Sequence, residues 1–232
     1  MERKCILYHG SQNIIRTPAY GQGNPHNDYG LGFYCTENPE LAKEWACTET
    51  NSGYANAYDF DAEGLSILDL QNGEYGILNW LAVLLGNRVF RISAGIAEEG
   101  RDFLLQRFLP KYRSFDVMIG YRADDSYFSF ANAFLNNTLS LRQLEKAMML
   151  GKLGEQVVLR TRKAFERISF REAIVAEKDI YYPKKHSRDA KARYANREER
   201  GNVWAADETY LVDILREEWD NHDARLRRNL SE

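Results

Sequence analysis

Residues 4–10 read KCILYHG, and they decide how the rest of the chain is interpreted. The apolar centre of residues 4–9 is typical of a short buried strand. His9 closes this strand and Gly10 follows it, so we expect the strand edge to open there into a cleft. Because glycine carries no side chain, the N–H and C=O of Gly10 stay accessible and suit pairing with a planar carboxamide. A lone histidine at a strand end is also typical of a structural residue, so other stretches must support this interpretation.

The stretch GLGFYCT at residues 30–36 supports it by adding aromatic groups. A glycine-rich turn leads into Tyr34, and PELAKEW follows at residues 39–45, where Pro39 at a first helical position predicts a helix. Tyr34 and Trp45 could then be held against a flat ligand. The same residues would also make an ordinary turn with core aromatics.

A third feature is the polar pair Glu155-Gln156, which precedes the apolar residues of a predicted strand over residues 156–161. Side chains alternate between the two faces of a strand, so one of the pair faces the cleft and the other faces away. Which of them points inward stays open, and an exposed strand start fits the same pattern.

The remaining patterns mix strands and helices without regular alternation, which predicts an α+β fold. Further strands are expected at residues 56–60, 65–70, 115–120 and 170–176, and helices at residues 75–85, 98–108, 126–135, 140–150, 163–168, 188–200 and 208–219. Ser140 and Gln143 form a capping box at the start of one helix. We expect a boundary at Tyr182-Pro183, between a domain of residues 1–182 and a charged helical extension of residues 183–232 that packs on the same domain.

The 232 residues are 44% hydrophobic and 28% charged, as in ordinary globular proteins. A net charge of −3 excludes a domain that holds nucleic acid by bulk positive charge, but residues 1–80 carry −7 and the rest +4. Residues 184–200 hold seven basic and three acidic residues, which indicates either a solvated helix face or a contact surface for an anionic partner. The aromatic share of 12%, with 14 tyrosines, favours pockets that stack planar groups.

The sequence has an odd number of cysteines, namely Cys5, Cys35 and Cys47, and no C-x-x-C motif. We therefore expect a reduced, cytoplasmic setting and no metal site. The N-terminus has no signal-peptide pattern, and the apolar residues 77–85 are too few to cross a bilayer, which takes about 20. Phosphate-loop, nucleophile-elbow, zinc-protease and dinucleotide motifs are missing from the sequence. Any catalytic site must therefore use a less common arrangement.

The ordered set His9-Gly10-Ser11, Gly30 to Tyr34, Trp45 and Glu155-Gln156 resembles the ADP-ribosyltransferase superfamily. The similar branch is the one with His–Tyr–Glu motifs that includes the poly(ADP-ribose) polymerases, and the resemblance covers about residues 4–176. It implies a split antiparallel sheet core with surrounding helices and a helical C-terminal tail. More closely, residues 116–125 and 153–161 resemble a bacterial family of unknown-function domains assigned to that superfamily. Its members often lie beside small antitoxin-like genes.

The resemblance implies roles for particular residues in binding NAD⁺, the only cofactor expected and itself a substrate. His9 would hydrogen-bond the adenosine-side ribose, and Gly10 would pair through its backbone with the nicotinamide amide. Tyr34 and Trp45 would line the nicotinamide ring. Ser11 and Gly32 belong to the same motifs and are counted with the NAD⁺-binding residues.

The third motif position determines the chemistry. Gln156 is the better match to the superfamily pattern of an acid before three apolar residues, whereas Glu155 would restore the usual acid if it points inward. Cleavage of the nicotinamide–ribose bond builds positive charge on the ribose, which a carboxylate stabilises and a glutamine amide does not. Asp124 and Asp125 could supply that charge or could cap a helix. Arg122 could meet the pyrophosphate or form a surface ion pair.

The function expected from the resemblance is transfer of ADP-ribose from NAD⁺ to a macromolecule, as a toxin of a toxin–antitoxin or anti-phage system. Two alternatives are an NAD⁺ glycohydrolase and an inactive module that only binds NAD⁺ or a partner. The acceptor, protein or nucleic acid, cannot be identified from the sequence. The tail could bind RNA, a target protein or a cognate antitoxin, or could simply complete the core, and no membrane partner is expected.

Overall fold

The computed structural model describes residues 3–123, 125–150, 154–200 and 208–228. The strands are β1 (Lys4–Ser11), β2 (Phe33–Cys35), β3 (Gly53–Asp61), β4 (Ile67–Asp69), β5 (Val117–Tyr121), β6 (Glu155–Leu159) and β7 (Ile168–Ala176). The helices are α1 (Pro39–Ala46), α2 (Ile77–Asn87), α3 (Ile96–Arg107), α4 (Asp125–Leu135), α5 (Leu141–Leu150), α6 (Arg162–Phe165), α7 (Lys178–Arg200), α8 (Leu211–Arg216) and α9 (Arg225–Arg228), with a 3₁₀ turn at Tyr112–Ser114. The α+β class predicted from the sequence is confirmed.

The chain divides into two compact units. The first consists of Met1–Asp69, Tyr112–Arg122 and Leu153–Arg188, and it holds all the strands named above. The second consists of Leu70–Lys111, Ala123–Lys152 and Asp189–Glu232, and its described elements are helical. The domain boundary predicted at residue 182 divides the chain differently from these two units, and it stays a prediction.

The strands of the first unit form two sheets. One is antiparallel, in the order β1-β3-β7, and the other has the order β2-β6-β5-β4. The expectation of an antiparallel sheet core is wrong at one place, because β4 and β5 run parallel. Between these two strands the chain passes through α2 and α3, and a long connection of this kind lets neighbouring strands run in the same direction.

Apolar side chains from both sheets form one core. Leu7 of β1 and Phe60 of β3 cluster with Cys35, Val157 and other buried residues of the second sheet. A short bridge joins the sheets directly, because the backbone N–H groups of Tyr8 and Thr36 each donate to the other residue's carbonyl, at 2.8 and 3.0 Å. The end of β1 is therefore fixed beside the end of β2.

The second unit packs its helices around large buried side chains. Trp80 of α2 contacts Tyr127 of α4 edge-on, with ring centroids 6.4 Å apart. The predicted capping box is confirmed, since Ser140 N–H donates to Gln143 Oε1 at 2.9 Å and Gln143 N–H donates to Ser140 Oγ at 3.2 Å. None of the helices in the described residues is both long and apolar enough to cross a membrane.

The predicted helix boundaries in the tail are wrong. The helix expected from residue 188 begins ten residues earlier, at Lys178, and continues through the Tyr182-Pro183 boundary. Proline normally interrupts a helix, but Tyr181 and Tyr182 pack on Ala46, Cys47 and Ala176, and this packing compensates for the lost hydrogen bond. The helix expected at residues 208–219 is shorter, at Leu211–Arg216.

Helix α1 lies unusually close to the first sheet at two glycines. A Cβ placed on Gly10 would lie 2.2 Å from Ala42 O, and one on Gly53 would lie 2.4 Å from Ala46 O. Both obstacles are backbone atoms of α1, so neither can turn aside as a side chain could. Glycine at these two positions sets the distance between helix and sheet.

We expect Gly53→Ala to lower the free energy of unfolding by about 1–3 kcal/mol, because the methyl group would push α1 off the sheet. The measurement is chemical denaturation. The matched control is Gly86→Ala in α2, where the nearest atom to a new Cβ is 3.6 Å away. That change should be neutral or stabilising by up to about 1 kcal/mol. Equal stability of the two variants would contradict close packing at Gly53.

Candidate functional site

His9 is held in one orientation at the end of β1. Its Nδ1 lies 2.7 Å from Tyr34 O, and its ring stacks on Phe33 with centroids 4.3 Å apart. Burial lowers the pKa of His9, and the hydrogen bond to the Tyr34 carbonyl only partly offsets this. The neutral imidazole is therefore favoured near pH 7.

The contact with Tyr34 also selects the tautomer of His9. A carbonyl oxygen only accepts, so Nδ1 must carry the proton and donate it. In the neutral ring Nε2 then holds a lone pair. His9 can thus accept a hydrogen bond from a ligand hydroxyl at Nε2 while Nδ1 anchors the ring.

The peptide groups of Gly10 point to the open edge of β1. Tyr8 uses its N–H and C=O for the bridge to Thr36, away from β3. Backbone groups alternate along a strand, so those of Gly10 point in the same direction as those of Tyr8. Among the described residues, they have no hydrogen-bond partner on that side. The accessibility of these groups stays a prediction, and α1 covers the position of the missing side chain.

Tyr34 supports the loop that precedes it. Its hydroxyl donates to Gly30 O at 2.5 Å and accepts from Tyr29 N–H at 3.1 Å. Close packing continues at Gly32, where a Cβ would lie 2.6 Å from a methyl group of Val158. The glycine-rich turn is therefore tied to β2 and β6.

Trp45 is presented by a well-capped helix. Asn38 Oδ1 accepts from Glu40 N–H at 2.9 Å and from Leu41 N–H at 3.3 Å, and Pro39 occupies the first turn as expected. The Trp45 Cβ lies next to Gly10. Its indole Nε1 is buried and has no hydrogen-bond partner in the described part of the chain. Arg122 lies over the indole, 4.9 Å from the ring centroid.

Gln156 lies on the same face of the second sheet as Tyr34. Tyr34 is directly opposite Val158, and Gln156 is two residues from Val158 along the strand. Gln156 is 6% exposed, and its Oε1 is buried with no partner among the described residues. A buried acceptor without a partner is uncommon in proteins and is often found where a ligand or water completes the bond.

Glu155 projects to the opposite face, that of Val157 and the core. It lines a cleft of about 920 Å³ together with Glu37, the N-terminal residues of α1 and Gly154. Burial raises the pKa of Glu155, and the nearby carboxylates of Asp69 and Glu37 raise it further. The structure thus separates the two candidates for the third motif position instead of bringing them together.

The other predicted site residues make local contacts or ion pairs, or lie outside the described residues. Ser11 Oγ accepts from Asn13 N–H at 3.1 Å in a local turn. Asp124 lies outside the described residues, and Asp125 begins α4 with a side chain that is also outside them. Lys184 and Arg188 of the basic run at residues 184–200 contact Glu40 and Glu44 of α1, and an anionic partner for this run stays a prediction.

Asn56 is a residue that the sequence interpretation missed. It is fully buried beside His9, and its Nδ2 donates to His9 O at 3.3 Å and Asn13 O at 3.1 Å. Its Oδ1 accepts from Ile15 N–H at 3.0 Å. It therefore fixes the loop that leaves the His-Gly-Ser motif. An asparagine inside the apolar strand GYANAYDFD was the signal that could have identified it.

A protein-family comparison matches residues 5–170 to a family described as "Protein of unknown function (DUF3990)". Because the match covers well over half of the chain, the chain belongs to this DUF3990 family. Neither the curated proteins nor the solved structures contain a match to it. The family match carries no activity, so a function must be argued from the site itself.

We expect His9 to make the protein less stable as the pH falls. The unfolded chain binds a proton at the ordinary histidine pKa of about 6.5, while the folded chain resists it until a lower pH. The stabilisation is therefore present above pH 6.5 and is lost as the pH falls below it. Denaturation of wild type and His9→Asn between pH 5 and 8 checks this. Parallel profiles for the two proteins would contradict the shift.

Proposed function

We propose that this protein is an NAD⁺-dependent ADP-ribosyltransferase that uses the edge of β1 to hold nicotinamide. The observation that carries the proposal is a set of polar groups that have no hydrogen-bond partner among the described residues. These groups are the Gly10 N–H and C=O, the Trp45 Nε1–H and the Gln156 Oε1. Their residues belong to the three stretches on which the resemblance to the superfamily rests.

The Gly10 peptide groups, the two aromatic rings and His9 each have a counterpart in NAD⁺. The carboxamide of nicotinamide offers both a donor and an acceptor, which match the N–H and C=O of one extended glycine. Tyr34 and Trp45 would line the ring, and stacking adds about 0.5–1.5 kcal/mol for each aromatic contact. His9, neutral and with its lone pair on Nε2, would accept from a hydroxyl of the adenosine-side ribose.

The two-sheet architecture also supports the proposal. A three-stranded antiparallel sheet faces a four-stranded sheet across a common core, and His9 lies where β1 meets β2. We also propose the split-sheet fold that the resemblance implies, because this arrangement and the motifs both support it.

In the proposed reaction the bond between ribose C1′ and the pyridinium nitrogen breaks, and its electron pair leaves with neutral nicotinamide. A nucleophile on the acceptor forms the new bond to C1′ and gives up its proton. The ribose gains positive charge as the bond opens. Gln156 can accept a hydrogen bond from a ribose hydroxyl but contributes no charge, so the reaction requires a good acceptor nucleophile. Transfer is therefore favoured over hydrolysis by water.

The biological role that fits this activity is that of a toxin acting on a macromolecule inside a cell, paired with an antitoxin. It rests on the resemblance, and the acceptor class follows only from experiment. Brief expression followed by mass spectrometry of protein and RNA for added ADP-ribose would identify it.

The activity is tested by incubating the purified protein with labelled NAD⁺ and a cell lysate. We expect label in macromolecules and release of nicotinamide, both lowered about tenfold or more in His9→Asn. The asparagine amide can still donate to Tyr34 O but lacks the acceptor at Nε2, so the variant separates substrate binding from folding. His222→Ala, at an exposed histidine, serves as the control and should behave as wild type.

Other results of this experiment would favour one of the two alternative functions. Free ADP-ribose from the protein alone would indicate an NAD⁺ glycohydrolase. Saturable NAD⁺ binding without nicotinamide release would indicate a binding module. No release and no binding would contradict the proposal altogether.

The third motif position is tested by exchanging acid and amide. Gln156→Glu places a carboxylate on the Tyr34 face, so we expect nicotinamide release to rise about tenfold or more once the new acid is ionised. Glu155→Gln makes the reverse change on the opposite face and should alter the rate by less than about twofold. If Glu155→Gln abolishes release and Gln156→Glu gains nothing, the role belongs to Glu155.

A further inference from the structure

Helix α1, which carries Trp45, is held from two sides. On one side its backbone rests on Gly10 and Gly53 of the first sheet, too closely for any side chain. On the other side lie the first turns of α7, where Tyr181 packs near Ala46. A displacement of α7 would therefore change the position of α1 relative to the edge of β1.

The strongest contact between the two helices is an ion pair. Arg188 Nε donates to Glu44 Oε2 at 3.1 Å, and Arg188 Nη2 donates to Glu44 Oε1 at 2.8 Å. The Glu44 side chain is only 4% exposed. A two-point contact between a guanidinium and a carboxylate fixes orientation as well as distance.

A second contact lies one turn away and is exposed. Lys184 Nζ is 3.3 Å from Glu40 Oε2, and about half of each side chain is in solvent. Lys43 joins the same group, because its Nζ donates to Glu40 at 2.7 Å and to the Tyr181 hydroxyl at 3.2 Å. Exposed pairs of this kind are screened and contribute little. The buried pair is the one that can hold the helix.

We propose that Arg188 is a positioning residue for Trp45. Glu44 immediately precedes Trp45 in α1, so the ion pair acts on the residue beside the proposed nicotinamide ring. A buried carboxylate that loses its partner is strongly unfavourable, so α1 keeps its position as long as Arg188 stays paired. The inference rests on the proposed function for its effect on NAD⁺, but the placement of Trp45 can be measured without it.

The placement is measured by ¹⁹F NMR on protein labelled with 5-fluorotryptophan, with the Trp45 signal assigned from Trp45→Phe. In Arg188→Gln we expect the Trp45 signal to shift or broaden while the other tryptophan signals stay in place. Lys184→Gln is the matched control, since it makes the same kind of change at the exposed pair, and its Trp45 signal should not move. Arg188→Lys, which keeps the charge without the two-point contact, should give an intermediate shift.

Kinetics then link the placement to the substrate. In Arg188→Gln the KM for NAD⁺ should rise about three- to tenfold, the change expected when one aromatic stack is lost, and kcat should change by less than about twofold. Lys184→Gln should leave both constants within twofold of wild type. A general loss of structure would instead reduce the active fraction, lowering the apparent kcat with KM unchanged.

If Arg188→Gln fails to fold, Glu44→Gln/Arg188→Gln removes the buried charge and should fold with the same displaced Trp45 signal. A Trp45 signal identical to wild type in the folded variants would overturn the positioning role. Equal KM values for wild type and Arg188→Gln would overturn it as well. If wild type consumes no NAD⁺ while the Trp45 signal still responds to Arg188→Gln, the proposed function fails and the placement by Arg188 stands.

Discussion

The close approach of α1 to the first sheet is the constraint on which the candidate site depends. Gly10 and Gly53 allow helix backbone to lie where a side chain would normally be. This places Trp45 beside Gly10, whose peptide groups have no hydrogen-bond partner among the described residues on the side away from β3. The sequence meets the constraint with two glycines, a capped helix start and an ion pair to α7. Each of these features helps to hold α1 close to the first sheet.

The polar groups of the candidate site fall into two sets. His9, Asn56 and the Tyr34 backbone satisfy one another and hold the end of β1 rigid. Trp45 Nε1 and Gln156 Oε1 are buried and lack partners in the described chain. Leaving such groups unpaired costs about 1–3 kcal/mol each. A planar ligand with donors and acceptors would remove that cost, which is why we propose that NAD⁺ binds here.

Local patterns predicted the parts of the fold that depend on local chemistry. The first strand, the helix opened by Pro39 and the cap formed by Ser140 follow from short-range propensities. The strand predicted to close at His9 continues to Ser11, because its pairing with β3 extends that far. Contacts between distant segments decided what was missed. Packing of Tyr181 and Tyr182 on Ala46, Cys47 and Ala176 keeps α7 helical through Pro183, and the partner of Arg188 lies 144 residues away. The face of the sheet on which Gln156 lies was also left open by the sequence, because it depends on the pairing of β2 with β6.

The most direct test is the Gly10 amide signal in ¹⁵N-labelled protein as NAD⁺ is added. If nicotinamide pairs with the edge of β1, this signal should move downfield and saturate together with signals from Tyr34 and the Trp45 indole, since a hydrogen bond deshields the amide proton. ATP, which shares the adenosine and phosphates but lacks nicotinamide, should leave the Gly10 signal in place. A Gly10 signal unchanged at saturating NAD⁺, or moved equally by ATP, would contradict nicotinamide binding at this edge.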